Sequence, residues 1–130
     1  MHTQSVFKHQ FREAQWIWDD SQPRGYHYYL RARRAFTLES ADVTHSYLYI
    51  TADSMYQVWL NGHIVGHGPS KSAGGIRFVD CYDVTPLLDA HENNLEVLVL
   101  GIGTSTMSYC AGDWVQQCVN LPSLSRAAGL

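Results

Sequence analysis

Long apolar runs are missing from this 130-residue sequence. The longest, Leu95–Leu100, is interrupted by Glu96 and is far too short to span a bilayer. The first residues, MHTQSVFKHQFREAQ, are polar and lack the apolar core of a secretory signal, so a cytoplasmic location is the default expectation. Cysteine is scarce. Cys81, Cys110 and Cys118 make an odd count without C-x-x-C spacing, which argues against a disulfide framework and a structural zinc site and predicts reduced thiols. Charged residues are 16% of the chain, the formal net charge is -3 and the pI is near 6.1. No basic field exists for nucleic acid or anionic lipid. The one basic cluster, Arg31-Ala32-Arg33-Arg34, sits in an alternating pattern and reads as a solvated strand face. No long helical period supports βαβ units, and the G-x-S-x-G, H-E-x-x-H and Walker motifs are all missing, so nucleophilic, zinc-hydrolytic and phosphoryl-transfer chemistry have no starting point.

What is present is β-forming. Hydrophobic residues make up 45% of the sequence, enough for one globular core in a chain of this length. The centre is Thr51–Pro69, TADSMYQVWLNGHIVGHGP. Asn61-Gly62 between two apolar runs predicts a two-residue hairpin turn, because both central positions need positive φ. A loop of those two residues pairs Leu60 with His63, Trp59 with Ile64, Val58 with Val65 and Tyr56 with His67. Both faces then carry apolar groups, so the hairpin is expected to lie in the interior, covered on both sides.

Other strands follow from alternation. Trp16-Ile17-Trp18 reads as a short strand pinned from both sides, closed by Asp19-Asp20-Ser21. In Tyr26–Phe36, Tyr26, Tyr28, Leu30, Ala32 and Phe36 fall on one face, with His27, Tyr29, Arg31 and Arg33 opposite. Leu48, Ile50 and Ala52 share a face against Tyr47, Tyr49 and Thr51. Gly66–Gly75 reads as an exposed loop, and Ile76–Tyr82 as a strand. Thr85 as N-cap and Pro86 at the first helical position predict one short helix near residues 85–91, ended by Glu92-Asn93-Asn94, before a doubly apolar strand Leu95–Ile102. Many short strands and one stub of helix predict an all-β sandwich or jelly roll.

Several constellations have simpler explanations than chemistry. Gly101-Ile102-Gly103 could begin a dinucleotide fingerprint, but Thr106 stands at the third glycine position, which leaves a strand-end turn. His63, His67 and His91 read as exposed histidines, without Cys or Glu at ligand spacing. Asp53, Asp80, Asp83, Glu92 and Glu96 are the carboxylates available for glycoside hydrolysis, with nothing to separate an acid from a base. Asp83 suits the helix entry and Glu96 the polar tooth of a strand. Eight tyrosines and four tryptophans offer more, since flat rings on a sheet face make platforms for sugar rings. Trp59, Tyr47 and Tyr49 are the candidates, against the alternative that they fill inter-sheet space or an interdomain contact.

The order of these motifs resembles a known family. Trp16-Ile17-Trp18, Tyr29–Leu38 (YLRARRAFTL), Ile50–Gly62 (ITADSMYQVWLNG), Val65-Gly66-His67-Gly68-Pro69, Tyr82–Leu88 (YDVTPLL) and Glu92-Asn93-Asn94-Leu95 closely resemble the N-terminal β-sandwich module of bacterial α-L-rhamnosidases, over about Trp16 to Ile102. A looser likeness exists to the jelly-roll sugar-binding module of β-galactosidase-type enzymes. The resemblance implies a galactose-binding-like jelly roll whose parent enzyme carries its catalysis in a separate (α/α)6 barrel, so that this chain itself holds no catalytic residues. Some similar modules bind rhamnose through calcium held by an Asp-Asn pair before the hairpin. The corresponding pair here is Asp53-Ser54, and a serine hydroxyl is a poorer calcium ligand than an amide carbonyl. Only Asp53 is carried over from the resemblance, as the implied calcium ligand, and the expected sugar site is Asp53 with Tyr56 and Trp59. The expected organisation is a leader at residues 1–15 and a module over 16–130, clipped at its Ala127-Ala128-Gly129-Leu130 end. The expected role is a non-catalytic accessory module bracing the barrel, with Trp59 and Ile64 facing that partner. The alternative is an independent binding module for rhamnose or a related sugar.

Overall fold

The computed structural model describes residues 14–19, 21, 27–39, 44–70 and 78–102. Among the described residues six strands form two antiparallel sheets: β1 (Tyr28–Thr37), β2 (Tyr47–Ile50), β3 (Met55–Leu60), β4 (His63–Gly68), β5 (Asp80–Asp83) and β6 (Glu92–Gly101). The larger sheet has the order β1-β6-β3-β4, and β2 pairs with β5 in the smaller. The fold is all-β, as the alternation predicts. Its core holds Ile50, Ala52, Tyr56, Val58, Val97 and Val99, with Leu30, Leu48 and Tyr82 packed against them, so both sheets contribute one face. Val58 and Val99 are fully buried, each removing side-chain area worth roughly 1.5–3 kcal/mol from water.

The turn is as expected. Asn61 and Gly62 have φ of 51° and 79°, and Leu60 faces His63 and Trp59 faces Ile64. Beyond Trp59 the register slips. Val58 pairs with Gly66, Gln57 with His67 and Tyr56 with Gly68, so the expected pairs Val58–Val65 and Tyr56–His67 do not form. The extra residue of a β-bulge is accommodated in β4. The hairpin is also less interior than predicted. β3 lies between β6 and β4, whereas β4 is the sheet edge among the described residues and its Ile64 is 64% exposed.

Gly66 and Gly68, read from sequence as loop residues, belong to β4. Their role is space. A Cβ on Gly66 would collide with the Tyr82 ring, and one on Gly68 with the Asp80 carboxylate and the Tyr56 hydroxyl. The side chains of β5 therefore lie against the bare backbone of β4.

Three further expectations are corrected. Residues 14–19 form no strand, and of their aromatic anchor Trp16 and Ile17 are more than half exposed while Trp18 packs on the core and edge-on to Tyr28 at 5.8 Å. The helix is one 3-10 turn, Thr85–Leu87, with Val84 at the cap position and no side-chain cap. Thr85 instead accepts a hydrogen bond from Ser46 N–H at 2.8 Å, and Asp83 Oδ1 accepts the Thr85 N–H at 3.0 Å. Finally, β6 begins at Glu92 rather than Leu95, because Asn93 and Asn94 pair with Phe36 and Ala35 of β1. The predicted strands at Tyr26 and Ile76 reach into positions outside the described residues, as do Gly103, Thr106, Ser105–Gln117, Cys110 and Cys118. Cys81 is a free, exposed thiol.

Candidate functional site

Three clusters of polar and aromatic side chains stand out. The first joins the hairpin turn to the start of β6. Asn61 Nδ2 donates to Leu87 O at 2.9 Å and to Asn93 Oδ1 at 2.8 Å, while Asn61 Oδ1 accepts the Asn94 N–H at 2.8 Å. Asn93, with no exposed surface, also accepts from Asp89 N–H at 2.8 Å and donates to Asp89 O at 2.9 Å. Every polar atom of these two amides is thus engaged with protein. This cluster is architectural, and it accounts for the Leu-Asn-Gly and Asn-Asn-Leu motifs.

The second cluster lies between the sheets. Tyr56 is 4% exposed, and its hydroxyl donates to Asp80 Oδ2 at 2.5 Å. The Tyr82 hydroxyl sits 3.0 Å from that of Tyr56 and 3.3 Å from the His67 carbonyl, so its own proton goes to one of those two acceptors. Burial, then the hydrogen bond to Asp80, push the Tyr56 phenol well above the ordinary tyrosine range. Nearby, Asp53 and Ser54 are both buried. Ser54 Oγ lies 3.3 Å from Asp53 Oδ1 and accepts the Ile102 N–H at 3.2 Å, while Ser54 N–H donates to Leu100 O at 3.1 Å. Asp53-Ser54 therefore ties the entry of β3 to the end of β6.

The third is the outer face of the larger sheet. Register places Arg33, Glu96, Trp59 and Ile64 in one row, Arg31, Leu98, Gln57 and His67 in the next, and Tyr29, Leu100 and Met55 in a third. Glu96 takes Arg31 at 2.6 Å and Arg33 at 2.7 Å, the polar tooth anticipated for it. The remainder of the face is largely apolar, with Tyr29 62% and Met55 41% exposed.

These placements separate the residues expected to form a sugar site. Asp53 and Tyr56 are buried and hydrogen-bonded inside, whereas half-buried Trp59 looks out from the opposite face of β3. The tyrosine candidates are apart as well. Tyr47 stacks on His45 at 6.5 Å, and with Tyr49 it occupies the outer side of β2. His63, His67 and His91 are exposed, and no group of three metal-ligating side chains exists among the described residues. Tyr29 is an exposed ring on the outer face of the larger sheet that sequence reasoning passed over. Its place among Arg31 and Arg33 on the polar side of β1 was the available clue.

Asp83 and Asp19 serve turns. Hydrogen bonds from Thr85 hold the Asp83 carboxyl below its usual range, and those from Ser21, then Tyr28, do the same for Asp19. Together with Asp80 under Tyr56 and Glu96 between two arginines, most described carboxylates have a structural partner.

No protein-family model matches this sequence, and no curated protein matches it. Among solved structures it is similar to a GH78 family rhamnosidase of Bacillus sp. GL1, with 34% sequence identity and a TM-score of 0.69 over 75% of this chain. The match spans 10% of that enzyme's chain. The motif resemblance to the β-sandwich module of α-L-rhamnosidases is thereby supported in three dimensions: this chain has the fold of a small part of a GH78 rhamnosidase.

Proposed function

We propose that this chain is a non-catalytic accessory module of an α-L-rhamnosidase-like glycoside hydrolase, a galactose-binding-like jelly roll that braces the catalytic domain. The observation that carries this reading is the match to a tenth of a GH78 rhamnosidase at 34% identity. A fold that makes up so little of a longer enzyme is one part among several. The duties of the acidic side chains support the same reading, since Asp53, Asp80, Asp83 and Glu96 are bound to neighbours that position the fold. The bracing contact is assigned to Trp59 and Ile64, paired across β3 and β4 at the exposed hairpin end. Interdomain contacts within a chain bury roughly 600–1,500 Å² and centre on such apolar groups.

Deleting the module from the parent glycosidase tests the proposal. The expected result is a lower thermal midpoint and reduced turnover of an aryl rhamnoside, with part of the loss reproduced by Trp59→Ser and Ile64→Ser together. Unchanged stability and turnover after deletion would contradict it.

A further inference from the structure

The outer face of the larger sheet has a depression of about 300 Å³. Leu98, Leu100 and Met55 form an apolar floor, the Tyr29 ring stands at the β1 side, and Gln57, His67 and Pro69 close the β4 side. Two features set it apart from a bare apolar face. The Tyr29 hydroxyl, the Gln57 amide and the His67 imidazole hydrogen-bond to no described protein group, in contrast to the saturated amides and phenol of the interior clusters. In addition, the guanidinium of neighbouring Arg31 is bonded to Glu96 at 2.6 Å, a carboxylate it shares with Arg33. The depression therefore offers one flat ring, an apolar floor and three side chains able to hydrogen-bond a ligand, with the flanking guanidinium already bonded to a carboxylate.

We propose that this depression binds a neutral pyranose, its C–H face on the floor and against the Tyr29 ring, its hydroxyls on Gln57 and His67. Sugars present this division between an apolar ring face and an equatorial fringe of hydroxyls, and aromatic rings with a few placed polar groups recognise it. The floor side chains stand on two hydrogen-bonded strands, β3 and β6, so little ordering accompanies binding. The shelf covers one side of a single ring, which sets a dissociation constant on the order of 1–10 mM. This site is distinct from Asp53 and Tyr56, and its existence does not depend on whether the module braces a neighbour.

The test is an amide chemical-shift titration of the 130-residue chain with methyl α-L-rhamnopyranoside and with methyl α-D-glucopyranoside, each to about 50 mM. The expected result is saturable shifts centred on Tyr29, Gln57, His67, Leu98 and Leu100 with at least one of the two sugars. Tyr29→Ala is expected to weaken binding at least tenfold at an unchanged thermal midpoint, and Tyr29→Phe to stay within threefold. Tyr47→Ala, which removes an exposed ring from the other sheet, leaves binding intact. If Tyr29→Ala does not fold, Gln57→Ala and His67→Ala replace it, each expected to weaken binding at least threefold. No shift with either sugar, shifts centred elsewhere, or full binding by Tyr29→Ala would overturn the assignment.

Discussion

Replacing Asn93 should be among the most damaging single changes in this fold. Its amide is fully buried and makes three hydrogen bonds, to Asn61 Nδ2, Asp89 N–H and Asp89 O. In Asn93→Ala all three are lost. Asp89 lies at the surface, so water recovers part of what its backbone loses. A net cost of about 1 kcal/mol per bond, plus the void left by the side chain, gives about 3–4 kcal/mol. For a domain of this size that lowers the thermal midpoint by roughly 15 °C or more. Asn93→Asp adds a diagnostic. Its carboxylate keeps both accepted bonds but cannot donate to Asp89 O unless protonated, and burial also favours the neutral acid. The folded-state pKa of this introduced acid is therefore raised. Its contribution is fully present below the unfolded-state pKa and is lost as pH rises through the folded one. Urea unfolding followed by tryptophan fluorescence, in acid and near neutrality, measures both effects, with Asn94→Ala as the exposed neighbour expected to change stability by less than about 0.5 kcal/mol. If Asn93→Ala costs under about 1 kcal/mol, or if Asn93→Asp shows no pH dependence beyond that of the natural sequence, the account of this cluster is wrong.

Gly66→Ala and Gly68→Ala are each expected to destabilise by about 1–3 kcal/mol through overpacking against Tyr82, Tyr56 and Asp80, read as lower urea midpoints. Gly62→Ala meets no atom but must hold a φ of 79°, and should cost about 1 kcal/mol. Tyr56→Phe removes the donor to Asp80 and should cost about 1–3 kcal/mol. Because the Tyr56 phenol is shifted upward, its stabilisation is present below the ordinary tyrosine pKa and lost as pH rises toward the folded value. Ultraviolet titration should show one tyrosine fewer ionising before alkaline unfolding than in the unfolded chain. Asp83, with its carboxyl shifted downward, stabilises above the ordinary carboxylate pKa and ceases to as pH falls through the folded one. Carboxyl carbon shifts against pH, with Asp83→Asn for assignment, check this.

The features legible in the sequence were those fixed by neighbouring residues. Asn61-Gly62 specified the turn and the two pairs beside it, and the alternation of Tyr28, Leu30 and Ala32 against Tyr29, Arg31 and Arg33 assigned both faces of β1. What escaped depended on distant parts of the chain. The bulge at β4 shows no local marker, and Gly66 and Gly68 look like loop glycines until Tyr82 and Asp80 are seen to occupy the space above them. Thr85 resembled a helix cap because its hydroxyl suits one, but Ser46, 39 positions earlier, claims it. The candidate sugar residues failed to converge for a simpler reason. An odd separation of three places Tyr56 and Trp59 on opposite sides of one strand.

The irregularity in β4 also governs how molecules can meet. An uncovered strand border is a template for strands of other chains, and a kinked, glycine-bearing border is a poor one. The opposite border among the described residues, β1, is ten residues long and regular, but carries Arg31, Arg33 and Arg34, with the one Glu96 carboxylate shared between the first two. One border thus discourages polymerisation by shape and the other by mutual repulsion of guanidinium groups. Raising the ionic strength weakens the second guard and leaves the first in place, so salt-induced assembly of this protein should grow from β1.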